Sequence, residues 1–159
     1  MEKGEPIEVR YLLKRGRFGY IGTSDEKGVP HITPVIFVYI DGYIFFATSK
    51  KSKKIKNIKE NEKVAFLIDE RDPTNLSRNI AVLIRGKAKI YDWKDLILHP
   101  VQSLRAWKSF RDKYSLYLEF YKKEKEKIPG AWQATPWSRQ FVRIQLDNVS
   151  HWRVSESWE

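Results

Sequence analysis

The chain of 159 residues contains no cysteine, one methionine and three histidines. Without cysteine there can be no disulfides, thiol nucleophiles or cysteine-rich metal sites. The histidines, His31, His99 and His151, are scattered at spacings that match no metal-binding motif. Metal chemistry is therefore not expected.

Long hydrophobic runs are also missing. No stretch of eighteen apolar residues is present, and the chain is charged from Glu2 onward without an apolar signal core. The sequence therefore predicts neither a membrane span nor a secretory signal, and we expect a cytoplasmic protein. The composition is 42% hydrophobic and 14% aromatic, as in folded proteins, and neither a long linker nor a second periodic unit is evident. We expect one domain over residues 1–159.

Acidic residues are outnumbered, with 20 Asp and Glu against 30 Lys and Arg, for a formal net charge of +10. Such a charge suits nucleic acid, an acidic membrane surface or an anionic small ligand, and by itself it does not distinguish them. Trp107, Trp132 and Trp137 lie near basic residues, as in some nucleic-acid binders. Nucleic-acid binding is nevertheless disfavoured, because basic residues alternate with acidic ones and no recognition motif is present.

The first third of the chain has the pattern of antiparallel strands. Residues 17–24 and 30–40 are β-prone and flank the turn sequence Asp-Glu-Lys-Gly, so they predict a hairpin. Asp41-Gly42 predicts a two-residue turn into a returning strand over residues 43–48. Both alternate faces of residues 30–40 are largely apolar. We therefore expect this strand to be covered on one side by a barrel interior and on the other by a helix or a subunit interface.

A helix is predicted over residues 49–61, with Ile55 and Ile58 as its buried edge and Ser52 as its N-cap. A strand follows over residues 63–69, and the sequence between residues 70 and 78 is typical of a loop. The next strand, over residues 79–91, alternates apolar with basic residues and contains Gly86 as a candidate bulge.

The last third of the chain predicts a helical turn over residues 92–98 and a main helix over residues 101–127, ended by Pro129-Gly130. The residues that recur at three-four spacing along that helix are Leu104, Trp107, Arg111, Tyr114, Leu118 and Tyr121. Two strands, 139–146 and 149–154, follow and are separated by Asp147-Asn148. Sequential hairpins without repeated strand–helix–strand crossovers favour a mainly β fold, an antiparallel barrel with peripheral helices, over a doubly wound parallel sheet.

Five lysines crowd the first turns of the helix predicted after residue 48, where the helix dipole already disfavours cations. These are Lys50, Lys51, Lys53, Lys54 and Lys56. A bound phosphate would relieve this conflict, because backbone N–H groups, ammonium groups and the hydroxyls of Thr48, Ser49 and Ser52 could converge on it. The alternative is a solvated basic helix with a serine cap.

Three runs, residues 18–23 (FGYIGT), 28–35 (GVPHITPV) and 41–48 (DGYIFFAT), resemble the pyridoxamine 5'-phosphate oxidase-like FMN-binding split barrels. Ser52-Lys53-Lys54 is similar to the Ser-basic-Lys phosphate motif of that family. The resemblance covers residues 10–91 and returns at residues 142–152. It implies an antiparallel split β-barrel, Greek-key-like, with a short phosphate-binding helix and a longer helical insert at about residues 92–137.

The resemblance also implies a homodimer with FMN at the subunit interface. Thr33, Pro34 and Val35 would line the isoalloxazine ring, and Trp152 would reach the cofactor from the partner subunit. The residues that would hold the ribityl phosphate are Thr48, Ser49, Ser52, Lys53 and Lys54.

Two departures from the family pattern argue against oxidation of vitamin B6. Thr33 and Val38 stand where the true oxidases carry Arg and Lys, and the chain ends at Glu159 without their basic C-terminal segment. The function implied is an FMN-dependent oxidoreductase acting on a small organic substrate, with unassigned catalytic residues. The alternatives are a deazaflavin-dependent reductase of the same fold and a non-enzymatic flavin or haem carrier, for which the three histidines are candidate haem ligands.

Overall fold

The computed structural model describes residues 6–123 and 139–153. Its strands are β1 (Phe18–Ser24), β2 (Pro30–Ile40), β3 (Tyr43–Ser49), β4 (Lys63–Glu70), β5 (Ile80–Tyr91) and β6 (Arg139–Arg153). Its helices are α1 (Ile7–Arg15), α2 (Lys53–Glu60), α3 (Trp93–Leu98), α4 (Pro100–Lys113) and α5 (Ser115–Lys123), with a 3₁₀ turn at Leu76–Arg78. The strands form a closed barrel in the order β1-β2-β3-β6-β5-β4, and every pairing is antiparallel. The predicted mainly β class and antiparallel barrel are confirmed.

The two predicted hairpins are present. β1 pairs with β2 from Phe18–Ile36 to Ser24–Pro30. Asp41 and Gly42 connect β2 to β3 with φ angles of 51° and 83°. Two successive positive φ angles match the right-handed twist of the flanking strands, which explains the Asp-Gly sequence at this turn.

The barrel interior holds the main core. Alternate residues of the strands point inward, so that Phe37, Phe46 and Phe66 are completely buried. Helix α1, which the sequence analysis did not predict, adds Val9, Leu12 and Leu13 to the same core. Burial of each such side chain contributes roughly 2 kcal/mol to folding, so α1 is an integral part of the domain.

Helix α4 covers the outer face of the barrel. Ala106, Phe110 and the adjoining Tyr114 pack on Val38 and Phe45 of β2 and β3. This contact gives β2 the two-sided cover expected from its sequence. None of the helices in the described segments is long and apolar enough to cross a membrane.

The prediction of one main helix over residues 101–127 is wrong. Helix α4 ends at Lys113, and a separate helix, α5, begins at Ser115. Of the residues at three-four spacing, Tyr114 is buried, whereas Leu104 and Trp107 are 67% and 55% exposed. The helix turns its Ala106–Phe110 side toward the sheet instead, because the small Ala106 allows a close approach. Residues 124–127 and Pro129-Gly130 lie outside the described residues.

The division of the last strand into two is also wrong, because β6 is continuous from Arg139 to Arg153. Arg85 pairs with Asn148 while Gly86 pairs with Leu146, so Asp147 is the extra residue of a bulge. The irregularity predicted at Gly86 therefore exists, but its inserted residue belongs to β6. A Cβ atom at Gly86 would lie 1.8 Å from the carbonyl oxygen of Gln145, so this register requires glycine.

Strand β2 changes partners half-way along its length. Residues 30–36 pair with β1, whereas only residues 37–40 pair with β3. β3 nevertheless continues to Ser49 alongside β6. Among the described residues, the edge of β2 that faces away from β1 over residues 30–36 therefore has no strand paired to it. This opening is next to the end of β3.

Candidate functional site

A compact group of polar side chains lies where β3 leads into α2. The Oγ1 atom of Thr48 is 3.4 Å from the Oγ atom of Ser52, and the Nζ atom of Lys54 donates a hydrogen bond to Thr48 Oγ1 at 3.1 Å. We call Thr48, Ser52 and Lys54 the hydroxyl–lysine cluster. Thr48 lies near the end of β3, Ser52 immediately precedes α2, and Lys54 is in the first turn of α2. The short connection between β3 and α2 therefore brings the three side chains together.

Lys54 is half-buried, and its burial lowers the pKa of its ammonium group. No carboxylate forms a salt bridge with Lys54 among residues 6–123 and 139–153. Lys53 differs, because it is exposed and its Nζ atom lies 3.9 Å from a carboxylate oxygen of Asp25. Lys53 therefore has an acidic neighbour, whereas Lys54 has no counterion among the described residues.

The N-terminus of α2 is open to an anion. Ser52 occupies the predicted N-cap position, but its side chain makes no capping hydrogen bond and the first turn carries no acidic residue. The first N–H groups of a helix have no acceptor within the helix, and they add to the positive end of its dipole. Ser49 lies at the end of β3, and its Oγ atom accepts a hydrogen bond from the Lys51 N–H at 3.3 Å. Ser49 therefore shapes the turn before the helix.

The predicted ring-binding residues lie on the half of β2 that lacks a partner toward β3. Val35 is buried with the barrel core, while Pro34 alternates with it and is exposed on the outer face. Thr33 shares the inward side, and its Oγ1 atom is buried without a hydrogen-bond partner among the described residues. A buried hydroxyl without a partner costs free energy, so it marks a place where a ligand atom could be accommodated.

Asn57 follows the Ser52-Lys53-Lys54 motif on α2 and was not among the predicted site residues. It is completely buried between Ile55 and Ile58 of α2, and its Nδ2 atom donates to Thr23 Oγ1 at 3.0 Å. Its Oδ1 atom is buried without a partner in the described part of the chain. Asn57 anchors α2 to β1. The sequence contained a signal for this role, because Asn57 is a polar residue next to Ile58 on the edge of the helix that Ile55 and Ile58 predict to be buried.

Trp152 lies far from the hydroxyl–lysine cluster within one chain. It pairs with Ala81 near the end of β6, whereas Thr48 pairs with Gln140 near its beginning. Twelve residues separate the two positions, which corresponds to about 40 Å along a straight strand. Within one chain the structure thus brings together Thr48, Ser52 and Lys54 but not Trp152.

The outer face of the β1–β2 hairpin is apolar and exposed. Tyr20 pairs with Pro34 and Gly22 pairs with Ile32 on this face. Tyr20 is 42% exposed and Ile32 is 69% exposed. Helix α2 contacts β1 through the buried Thr23, but no described helix buries Ile32 on the outer face in the way that α4 buries Val38. This face therefore has the composition of an interface.

Comparison with known proteins bears directly on this arrangement. The model of the family described as pyridoxamine 5'-phosphate oxidase matches residues 6–152. The chain belongs to this family. The match includes the β3–α2 junction and β6 as far as Trp152, so the hydroxyl–lysine cluster lies within the family domain.

The curated relatives share only moderate sequence identity with the chain, over part of its length. The chain is 34% identical over 89 residues to a 5a,11a-dehydrotetracycline/5a,11a-dehydrooxytetracycline reductase of Streptomyces rimosus, a match that covers 52% of this chain and 60% of that protein. It is 26% identical over 77 residues to a pyridoxamine 5'-phosphate oxidase homolog of Saccharomyces cerevisiae, covering 41% of this chain and 38% of the relative. The matches thus span less than two thirds of either curated relative.

The fold has close counterparts among solved structures. A FAD-binding protein from Mesorhizobium loti superimposes with a TM-score of 0.67 at 24% sequence identity, covering 92% of this chain and 93% of that protein. At this level of identity the likeness concerns the fold. The predicted split-barrel fold and the predicted family are both confirmed.

Proposed function

We propose that this protein binds FMN, with the phosphate held by the hydroxyl–lysine cluster and the N-terminus of α2. The observation that carries the proposal is the half-buried ammonium group of Lys54, which contacts the hydroxyl of Thr48 at 3.1 Å and has no carboxylate partner in the described segments. A phosphate supplies the missing negative charge, and its oxygens accept hydrogen bonds from both hydroxyls and from the free helix N–H groups.

The surroundings of the cluster suit the flat ring of a flavin. The edge of β2 over residues 30–36 presents backbone N–H and C=O groups away from β1, next to the end of β3. Such groups pair with the polar edge of a flat heterocycle as they would with a neighbouring strand. Thr33 Oγ1, buried without a partner, offers one more hydrogen bond on the same strand. Thr33, Pro34 and Val35 would thus orient the ring.

A homodimer completes this proposal. The exposed apolar pairs of the β1–β2 face, Tyr20 with Pro34 and Gly22 with Ile32, would be buried by a second copy. A two-fold interface at this hairpin would also allow Trp152 of one subunit to approach the ring site of the other. The cofactor would then lie between the subunits.

The activity we propose is that of an oxidoreductase that acts on a small organic substrate. A bound flavin supplies hydride and electron transfer, while the residues of this chain bind it, orient it and exclude water from one of its faces. The reductase from Streptomyces rimosus favours this class of activity over a carrier. Neither Thr33 nor Val38 is basic, so the chain lacks on β2 the charges that would hold the phosphate of a vitamin B6 substrate.

The test is titration of the purified apoprotein with FMN, riboflavin, FAD and the deazaflavin F420, followed by absorption and fluorescence. We expect FMN to bind at least tenfold more tightly than riboflavin, because riboflavin has the same ring and no phosphate. Equal affinities would overturn the phosphate assignment, and a protein that binds none of the four would overturn the proposal as a whole. Preference for F420 would identify the deazaflavin reductase instead.

Turnover is tested separately from binding. With the cofactor bound, NADH or NADPH is added anaerobically and loss of the flavin absorption is followed, after which an organic acceptor such as a quinone is supplied. Reduction and reoxidation in repeated cycles are expected of an oxidoreductase. A loaded protein that is reduced by neither nucleotide and by no artificial donor would indicate a carrier.

A further inference from the structure

A second binding site is suggested by a cavity of about 220 Å³ between the barrel and helices α3 and α4. Phe45, Tyr91 and Phe141 form its floor on the outer face of the sheet. Leu96, Ala106, Trp107 and Ser103 form its helical wall. We call this space the aromatic cavity.

The aromatic cavity is distinct from the proposed flavin site. Phe45 and Phe141 point to the outer face of the sheet, where they contact α4. Thr48 instead follows the alternation of Ile44 and Phe46, which face the barrel interior. The two sites are therefore on opposite faces of the β3–β6 pair, and occupation of one does not require the other.

The walls of the cavity are well suited to a flat aromatic molecule. The rings of Phe45 and Tyr91 meet edge to face at 5.8 Å, and those of Trp107 and Phe141 do so at 6.4 Å. Leu96 and Trp107 are 46% and 55% exposed, so the helical side of the cavity is accessible from solvent. Aromatic walls favour an inserted ring through both apolar burial and edge-to-face contacts.

One polar atom in this wall lacks a partner. The hydroxyl of Tyr91 is already committed, because it accepts from Arg143 Nη1 at 3.2 Å and donates to Gln102 Oε1 at 3.1 Å. The Oγ atom of Ser103 is buried and makes no hydrogen bond to any described residue. A helical serine commonly bonds back to the carbonyl one turn earlier, and Ser103 does not. Its hydroxyl therefore lies in a residue that borders the cavity, with its hydrogen-bonding capacity unused.

The size of the cavity sets the size of the ligand. An apolar protein cavity of about 150 Å³ stays dry and accommodates benzene. At about 220 Å³, the present cavity has room for one further fused ring. Combining this volume with the aromatic walls and the single free hydroxyl, we propose that the aromatic cavity binds a flat molecule of one or two aromatic rings that directs a hydrogen-bond donor at Ser103 Oγ.

Indole and indene provide a matched pair of probes, because the two have nearly the same shape and only indole carries an N–H donor. Binding is measured by calorimetry, and by the rise in melting temperature with probe concentration. We expect saturable binding of both probes, with indole the tighter. The substitution Ser103→Ala should weaken indole by about two- to tenfold, the range of one hydrogen bond, and leave indene unchanged.

A second experiment uses variants in which a larger side chain fills the cavity. Ala106→Leu places three more carbon atoms in it and should abolish binding of both probes. Should that variant fail to fold, Leu96→Trp at the accessible rim serves the same purpose. The proposal is overturned if neither probe binds the parent protein, if both bind a folded filled variant unchanged, or if Ser103→Ala affects indole and indene equally. FMN affinity is measured in parallel and should not change, so that this test is independent of the flavin proposal.

Discussion

The hydroxyl of Tyr114 accepts a hydrogen bond from the backbone N–H of Phe37 at 3.0 Å, at the point where β2 changes from one partner strand to the other. The carbonyl oxygens of Arg17 and Phe37 lie 2.7 Å and 2.5 Å from the same hydroxyl and share the hydrogen bond that its single O–H group donates. The Tyr114 side chain, at the C-terminal end of α4, thus provides hydrogen-bond partners for backbone groups of Arg17 and Phe37, just beyond the Phe18–Ile36 pair at the end of the β1–β2 ladder. Burial also raises the pKa of Tyr114, so the hydroxyl keeps its proton.

Replacing Tyr114 with phenylalanine should therefore destabilise the protein even though the ring remains. The Phe37 N–H and the Arg17 carbonyl would lose this partner, while the Phe37 carbonyl would keep its hydrogen bond from Lys113 Nζ. We expect the free energy of unfolding to fall by about 2–3 kcal/mol. Urea denaturation followed by circular dichroism measures this. Tyr11→Phe, at a 46% exposed position on α1, is the matched control and should change stability by less than about 0.5 kcal/mol. A Tyr114→Phe variant as stable as its parent would contradict this role.

Lys113 gives the stability a pH dependence of known sign. Burial, with a smaller contribution from Arg17, lowers its pKa from 10.5 to about 8. Below pH 8 the folded and unfolded states both carry the proton. Between about pH 8 and 10.5 the unfolded state binds more protons, so the stability contributed by this group increases as the pH rises.

We expect Lys113→Met to remove this increase. Relative to the variant, the parent protein should gain on the order of 1–2 kcal/mol between pH 7 and pH 10, a value reduced from the full shift because the group is partly solvated. Denaturant titrations at several pH values provide the measurement. Lys108→Met, at an exposed position on the same helix, should follow the parent. Parallel profiles for the parent and Lys113→Met would show that the pKa of Lys113 is not lowered.

The elements that were predicted correctly are those determined by residues close together in the sequence. The Asp41-Gly42 turn has the two positive φ angles that its residue types favour, and alternating apolar residues placed the strands around it. The helix after Thr48 was expected from Ile55 and Ile58, although it begins at Lys53, after a turn formed by Ser49. The cluster of Thr48, Ser52 and Lys54 could be anticipated because its members are within seven residues of one another.

The errors arose where contacts distant in the sequence decide the structure. Asp147-Asn148 has the composition of a turn, but pairing with β5 absorbs Asp147 as a bulge opposite Gly86. The side of α4 that is buried depends on the fit of Ala106 and Phe110 to the sheet, so that the larger Trp107 stays half exposed. The missed helix α1 is a different kind of error, because its signal was local. Val9, Leu12 and Leu13 have the spacing of one helical face and could have predicted it.

The charge of Lys54 should decide the affinity for a phosphate. Lys54→Met keeps most of the buried chain length and removes the ammonium group near Thr48 Oγ1. We expect FMN to bind about 10- to 100-fold more weakly, and riboflavin, which has no phosphate, to bind as before. Lys51→Met is the matched control, because Lys51 is exposed in the same basic segment. If the two variants lose FMN affinity equally, the general positive charge, and not the cluster, attracts the phosphate.

The apolar face of the β1–β2 hairpin should hold the proposed dimer together. Ile32→Glu places a charge on this face, and we expect the dissociation constant of the dimer to rise by at least about tenfold. Sedimentation velocity at several concentrations measures the change, and FMN affinity should fall with dissociation if the proposed site lies between the subunits. Leu116→Glu, at an 80% exposed position on α5, should leave both unchanged. A parent protein that sediments as a monomer at micromolar concentration would contradict the shared site.

Gly86 should be the least replaceable glycine of the barrel. A Cβ atom there would lie 1.8 Å from the Gln145 carbonyl oxygen, and neither strand can move without breaking the ladder on both sides of the bulge. We expect Gly86→Ala to lower the free energy of unfolding by about 3 kcal/mol or more. Gly22→Ala is the matched control, because the nearest atoms to its Cβ lie at 3.6 Å and the substitution removes backbone freedom from the unfolded chain. Denaturation of both variants should therefore give changes of very different size, and similar values would mean that the bulge can shift to accept a side chain.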